Sequence, residues 1–141
     1  MKPTLNQRFQ TLILRFHQLG GELPPLEKFG ITPAQVVYLD YLGKHPNCQL
    51  SDLAEALQYK PASVSVMVSA LERKGLVKKN PEQDDGRALS LSLTPSGSEI
   101  VAEIERFRSN RVETILEKLN QNEKENLMGL LEKTILKEEE N

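Results

Sequence analysis

One run in this sequence keeps a strict period of two. Residues 89–93 read L-S-L-S-L, with Leu89, Leu91 and Leu93 on one side of an extended chain and Ser90 and Ser92 on the other. The segments around it keep a helical period instead. A partner strand is available only nearby, and residues 76–79, on the far side of the turn N-P-E-Q-D-D-G-R, read as a short strand. The chain is thereby constrained to a mainly helical fold that carries one hairpin.

Helical spacing organises the remainder. Leu5, Phe9, Leu12, Phe16 and Leu19 form one apolar stripe on a helix over about 3–19, which Gly20-Gly21 ends. Pro24-Pro25 marks a loop over 23–30. Thr32 is the expected N-cap of a second helix, with Pro33 at its first position and Val36, Val37, Leu39, Tyr41 and Leu42 partly buried. Ser51 is the expected cap of a third, whose inner face is Leu53, Ala54 and Leu57. After a turn at Tyr59-Lys60, Pro61 opens a fourth helix that runs to about residue 74 and stops at Gly75. Beyond the hairpin, Thr94-Pro95 starts a long helix over about 95–119. Asn122, with Glu125 three residues on, reads as the capping box of a last helix over about 123–137.

Helix, helix, helix, helix, hairpin, helix, helix is the layout of a winged helix-turn-helix with added helices at both ends. The fourth helix would be the presented one. Val64, Val68 and Leu71, with Met67 beside them, form its inner face. Ala62, Ser63, Ser65, Val66, Ser69 and Arg73 are left outside, a smooth surface able to enter a groove about 12 Å wide. Serine is a poor interior helix former, so three on one outer face call for a reason; a plain solvated face is the alternative. The hairpin adds Lys78, Lys79 and Arg87, and Lys60 lies at the start of the fourth helix. The Asp85 carboxylate, two residues before Arg87, can hold its guanidinium and fix its direction. An arginine at a wing tip suits a narrow, A·T-rich minor groove, whereas as a surface ion pair it would contribute little.

Charge agrees in sign. The chain carries a formal −2, but residues 60–97 hold six cations against four anions, and residues 98–141 seven against eleven. A mildly basic centre fits DNA contact. No apolar run approaches the roughly 20 residues that span a bilayer, and Arg15 and His17 interrupt the only N-terminal apolar stretch, so a cytoplasmic protein without membrane contact is expected. Cys48 is the single cysteine and has no cation among its sequence neighbours, which favours a buried small residue over a redox switch. Two distant histidines suggest no metal site, and no nucleophile–base pair or phosphate loop points to an enzyme or a cofactor.

The stretch 31–101 resembles the MarR family of transcriptional regulators. The pieces that carry the likeness are LSDLAEAL, SVSVMVSALERKGLVKK and DDGRALSLSLTPSG. Asp85 and Arg87 stand in the family's Asp-x-Arg positions, and Leu93-Thr94 with Gly97 in its Leu-Thr-x-x-Gly approach to the long helix. The resemblance implies a single MarR-like domain over 1–141, with 31–97 as the winged-helix DNA-binding lobe and 1–30 and 98–141 as dimerisation helices. It implies a homodimer on a pseudo-palindromic operator in double-stranded DNA, usually as a repressor, often released by a small aromatic or phenolic ligand. Ser63, Ser65, Val66 and Ser69 match recognition-helix contacts and Arg87 the wing arginine; with Ser51, Lys60, Ala62, Arg73, Lys79 and Asp85 they make up the expected DNA-contact set. A ligand site would draw on Phe16, His17, Tyr38, Tyr41 and Leu42. Family members often carry arginine where this chain has Val66 and a basic or polar residue where it has Ala70. The cysteine of peroxide-sensing members and the clusters of zinc-sensing members are absent.

The residues themselves also ask for a partner. Ile100, Val101, Ile104, Phe107, Ile115, Leu116 and Leu119 on the long helix, and Leu127, Leu130, Leu131 and Ile135 on the last, exceed what one small winged-helix core can cover. A two-fold interface would bury them; a helical cap on a monomer is the alternative. Beside a DNA-binding regulator stands a second reading, a winged-helix protein-interaction module without specific DNA binding.

Overall fold

A computed structural model of the chain describes residues 1–81 and 89–136. Among these residues are six α-helices, a single 3₁₀ turn and a three-stranded antiparallel sheet. They divide into two compact units, Gly21–Phe107 and a second made of Met1–Gly20 with Arg108–Asn141.

The larger unit holds the core. It runs through the 3₁₀ turn Leu26–Phe29, α2 (Pro33–Lys44), β1 (Cys48–Gln49), α3 (Leu50–Leu57), α4 (Pro61–Arg73), β2 (Val77–Pro81), β3 (Leu89–Leu93) and the first half of α5 (Pro95–Leu116). Leu39, Leu42, Leu53, Val64, Val68, Leu71, Leu91 and Ile104 are fully buried together. Leu26, Ile100 and Ile104 belong to this core, so the compact unit extends on both sides beyond the stretch 31–97.

The sheet order is β1-β3-β2. The hairpin register sets Val77 against Leu93, Lys79 against Leu91 and Pro81 against Leu89. The third strand is new: Cys48 and Gln49 pair with Leu91 and Ser90. Two residues with one buried apolar side chain carry no alternation to read, so nothing in the sequence announced it. The strand also shifts the next helix. The chain leaves the sheet at Gln49, whose N–H donates to the Asp52 carboxylate at 2.9 Å, and α3 starts at Leu50. Ser51 is thus inside the first turn and is not the cap.

Thr32 caps α2 as expected. Its Oγ1 accepts from the Gln35 N–H at 3.3 Å, and its own N–H donates to Gln35 Oε1 at 3.1 Å. The start of the last helix, α6 (Gln121–Ile135), is two residues earlier than expected. Asn120 and Glu123 form the reciprocal pair, at 2.9 and 3.0 Å, in place of Asn122 and Glu125. Both pairs have the same N-x-x-E spacing, and the earlier one wins because α5 already ends at Leu116.

The smaller unit contains α1 (Leu5–Gly20), the end of α5, and α6. Neither α1 nor α6 buries a single residue fully, although Phe9, Leu12, Ile13, Phe16, Leu130 and Ile135 are large and apolar. An apolar groove of about 690 Å³ lies between Phe9, Leu12, Ile13, Phe16 and His17 of α1 and Leu127, Leu131, Thr134 and Ile135 of α6.

Candidate nucleic-acid interface

The two helices that make the site are joined by a short, well-closed turn. Gln58 adopts a left-handed conformation at φ 57, and the Tyr59 N–H returns to the Ala54 carbonyl at 3.1 Å. Pro61 then starts α4, and Lys60, in front of it, makes no side-chain cap. The first backbone N–H groups of α4 are accordingly left for an outside acceptor. At the other end Gly75, at φ 75, closes the helix: Leu76 N–H bonds to the Leu71 carbonyl at 3.0 Å and Gly75 N–H to Glu72 at 2.9 Å.

Between these ends the side chains fall as the spacing predicts. Val64, Val68 and Leu71 have no exposed surface and Met67 is half-buried. Ala62, Ser63, Ser65, Val66 and Arg73 are exposed, Val66 by 70%. Ser51 and Lys60 are exposed as well. Ser69 is half-buried, because Lys79 reaches it from β2: the ammonium donates to Ser69 Oγ at 3.1 Å and stands 3.7 Å from the Glu72 carboxylate. Lys78, one residue earlier, is exposed on the opposite face of the strand. The two lysines therefore do not form one cationic edge. Asp85 and Arg87 lie outside the described residues.

Two polar ties fix α4 to its surroundings. The Lys74 ammonium donates to the Gly30 carbonyl and, at 2.9 Å, to Gln35 Oε1, the same oxygen that accepts from Thr32. Gln35 is buried for this purpose. The Thr-x-x-Gln spacing made Gln35 legible as a capping partner, but its long-range partner Lys74 had no sequence signal. On the other side, Thr94 Oγ1 donates to the Gly75 carbonyl at 2.6 Å and accepts from the Gly97 N–H at 3.1 Å, while Thr94 N–H bonds to Leu76 O at 3.0 Å. The start of α5 is thus fastened to the end of α4 through the Thr94 hydroxyl and main-chain atoms.

The expected ligand residues are divided between the units. Phe16 and His17 line the groove of the smaller one. In the larger unit Leu42 is core, and Tyr38 is buried and stacked on Tyr59 with centroids 6.2 Å apart. Burial, and then Tyr59, raises the Tyr38 hydroxyl above its ordinary range. Tyr41 is half-buried, stacks on His45 at 4.0 Å and borders an open hollow with Cys48, Asp52 and Glu55. Burial, and then Asp52, pushes the Cys48 thiol up, which works against a reactive thiolate.

Known proteins resemble this chain. The MarR family model matches residues 29–88. The HTH-type transcriptional repressor MdtR of Bacillus subtilis is 40% identical over 75 residues, which are 53% of this chain and 48% of that protein, so the match spans about half the relative. A putative transcriptional regulatory protein for the hcr operon of Thauera aromatica is 28% identical over 128 residues, 85% of this chain and 77% of that one. The S. aureus MepR–DNA complex superposes with a TM-score of 0.64 at 28% identity, covering 96% of this chain and 99% of that one. In the described residues no helix is long and apolar enough to cross a membrane. In its helix pair, wing root and flanking helices the chain is similar to MarR-type transcriptional regulators: the MarR family model matches the stretch 29–88, and the likeness in fold extends over nearly the whole chain.

Proposed function

We propose that the chain acts as a homodimer on a pseudo-palindromic operator and represses transcription until a small aromatic or phenolic ligand releases it. The observation that carries the DNA-contact part is the outer face of α4. Val66 is 70% exposed in the middle of a helix whose inner face is fully buried, flanked by Ala62, Ser63 and Ser65. An exposed valine among small residues gains nothing from water. It suits a thymine methyl at the floor of a major groove, with the hydroxyls free for phosphates or base edges. The uncapped first turn of α4 offers backbone N–H groups and the positive end of its dipole to a phosphate. Ser51 and Lys60 are exposed at the neighbouring helix starts. Arg87, oriented by Asp85, would probe the minor groove.

The dimer is supported by α1 and α6, whose apolar stripes are unburied within one chain. A homodimer on a pseudo-palindromic operator would need its two α4 helices about one turn of DNA, roughly 34 Å, apart. The ligand response is carried by the family resemblance, since the groove beside Phe16 and His17 is part of the α1/α6 face given to the second copy. Repression is supported by the name of MdtR, the relative described as a repressor.

Fluorescence anisotropy tests the reading, on DNA upstream of the chain's own gene and on a scrambled duplex, across a salt series, with an Arg87→Ala variant alongside. The expected result is tight, salt-sensitive binding that prefers the upstream DNA and weakens in the variant. Equal, weak binding of both DNAs by both proteins would overturn the wing contact for that site. No binding to any genomic fragment would favour the protein-interaction module. Addition of phenolic compounds should release the DNA, and calorimetry without any heat of binding would remove the ligand.

A further inference from the structure

Lys79 occupies an odd place for a wing cation. On β2 it shares a face with Val77, which is buried, whereas Lys78 faces solvent. The pleat therefore turns Lys79 back over α4. There its ammonium meets Ser69 Oγ at 3.1 Å and Glu72 Oε1 at 3.7 Å, with 24% of the lysine side chain and 44% of the glutamate side chain exposed. Ser69 and Glu72 are three residues apart on α4 and so share one face, at the edge of the surface proposed to enter the groove.

We propose that Glu72 is a specificity-determining residue: its carboxylate keeps the Lys79 ammonium on Ser69, so that Lys79 positions the Ser69 hydroxyl and is withheld from DNA phosphates. The inference rests on the DNA-binding reading above.

Two pieces of chemistry carry it. A hydroxyl has one donor and two acceptor sites, and an ammonium has donors only. With Lys79 filling an acceptor site, the Ser69 proton is turned away from the lysine. Outward it would meet an acceptor: purine N7, guanine O6, thymine O4 or a phosphate oxygen. Cytosine offers its N4 amino donor at that edge and is a poorer match. The second piece is charge. A lysine beside its own carboxylate presents little net charge to a phosphate, and an uncharged contact releases no counterion. Removing the carboxylate leaves a free cation next to the duplex backbone. That cation strengthens binding to every sequence alike, and discrimination falls.

The test is the same anisotropy assay on upstream and scrambled duplexes over a salt series, with wild type, Glu72→Gln, Lys79→Met and the double variant. Glu72→Gln is expected to steepen the slope of log affinity against log salt by about 0.9 on both DNAs, the value for one added phosphate contact. It should tighten the scrambled duplex more than the upstream one. Lys79→Met alone should leave the slope unchanged and weaken only the upstream DNA, several-fold. In the double variant the extra slope should vanish. An unchanged slope in Glu72→Gln, with a native circular dichroism melt, would overturn the proposal. So would a slope flattened by about 0.9 in Lys79→Met alone, which would make Lys79 a phosphate contact already. If wild type binds neither DNA in a salt-dependent way, the DNA-binding reading itself falls, and this one with it.

Discussion

Replacing Gly97 by alanine tests how tightly the start of α5 is bound to the end of α4. Gly97 is buried, and a Cβ at its position would lie 2.2 Å from the Leu76 carbonyl oxygen and 3.1 Å from its carbonyl carbon. Carbon–oxygen contacts settle at about 3.3–3.6 Å, so the main chain must shift by about 1 Å. The oxygen that must move also accepts from Thr94 N–H. Overpacking of this kind costs about 1–3 kcal/mol. Loss of the Thr94 bond adds about 1 kcal/mol. Alanine's better helix propensity offsets about 1 kcal/mol. The net expectation is a loss of about 1–3 kcal/mol. At about 3–5 °C per kcal/mol for a chain of this size, the melting temperature falls by at least about 3 °C. Gly129→Ala is the matched control. It sits inside α6 with nothing within 4 Å of an added Cβ, so the same methyl should stabilise by up to about 1 kcal/mol. Thermal melts followed by helical circular dichroism, at one protein concentration, give both signs. A Gly97→Ala protein that melts at or above wild type would refute the close-approach argument.

Thr94→Val keeps the shape but removes the hydroxyl that joins the Gly75 carbonyl to the Gly97 N–H; a loss of about 1–2 kcal/mol by denaturant titration is expected, and an unchanged midpoint would contradict the junction. Cys48 should resist alkylation at neutral pH in the folded protein and react at once in denaturant. Because its folded thiol is raised, the folded state holds its proton longer than the unfolded one; stability should be intact below about pH 8.5 and decline as pH climbs above it. Cys48→Ser should lessen that decline, and an identical pH profile in both proteins would count against the burial effect. Leu12→Glu places a charge on the exposed stripe of α1 and should convert a dimer to monomer in sedimentation velocity; a dimer unaffected by it, or a wild type that is monomeric at high concentration, would rule out this face.

The sequence made the helical elements legible wherever periodicity and caps coincide. Val64, Val68 and Leu71 recur at the spacing of one helix face, and that alone separated them from Ser63, Ser65 and Val66. Thr32-Pro33 and Gly75 fixed their helix ends because cap chemistry is local. What failed to show was non-local. β1 is two residues long and exists only because β3 lies beside it. The same strand moved the start of α3 and took Ser51 out of its capping role. Lys79 carries a wing cation's charge, and only the register of β2 reveals that it faces α4 and not solvent. Tyr38 and Leu42 are expected in a ligand wall through the family resemblance alone, and their burial in the larger unit's core is a non-local fact that α2's own spacing does not state.

The pairing of Cys48 with Leu91 also dictates an order of assembly. Those two residues bracket α3, α4 and β2, so joining them closes a loop around the whole helix pair. Closing a loop costs chain entropy before it returns any contact, whereas the turn between α3 and α4 forms from near neighbours. Loop closure therefore favours an order in which the helices form first and β1 docks afterwards. Until it does, one edge of β3 stands open with its hydrogen-bonding groups unpaired. An arrested chain at that stage would offer that edge to another copy, and its failure would be aggregation through the wing before any loss of helix.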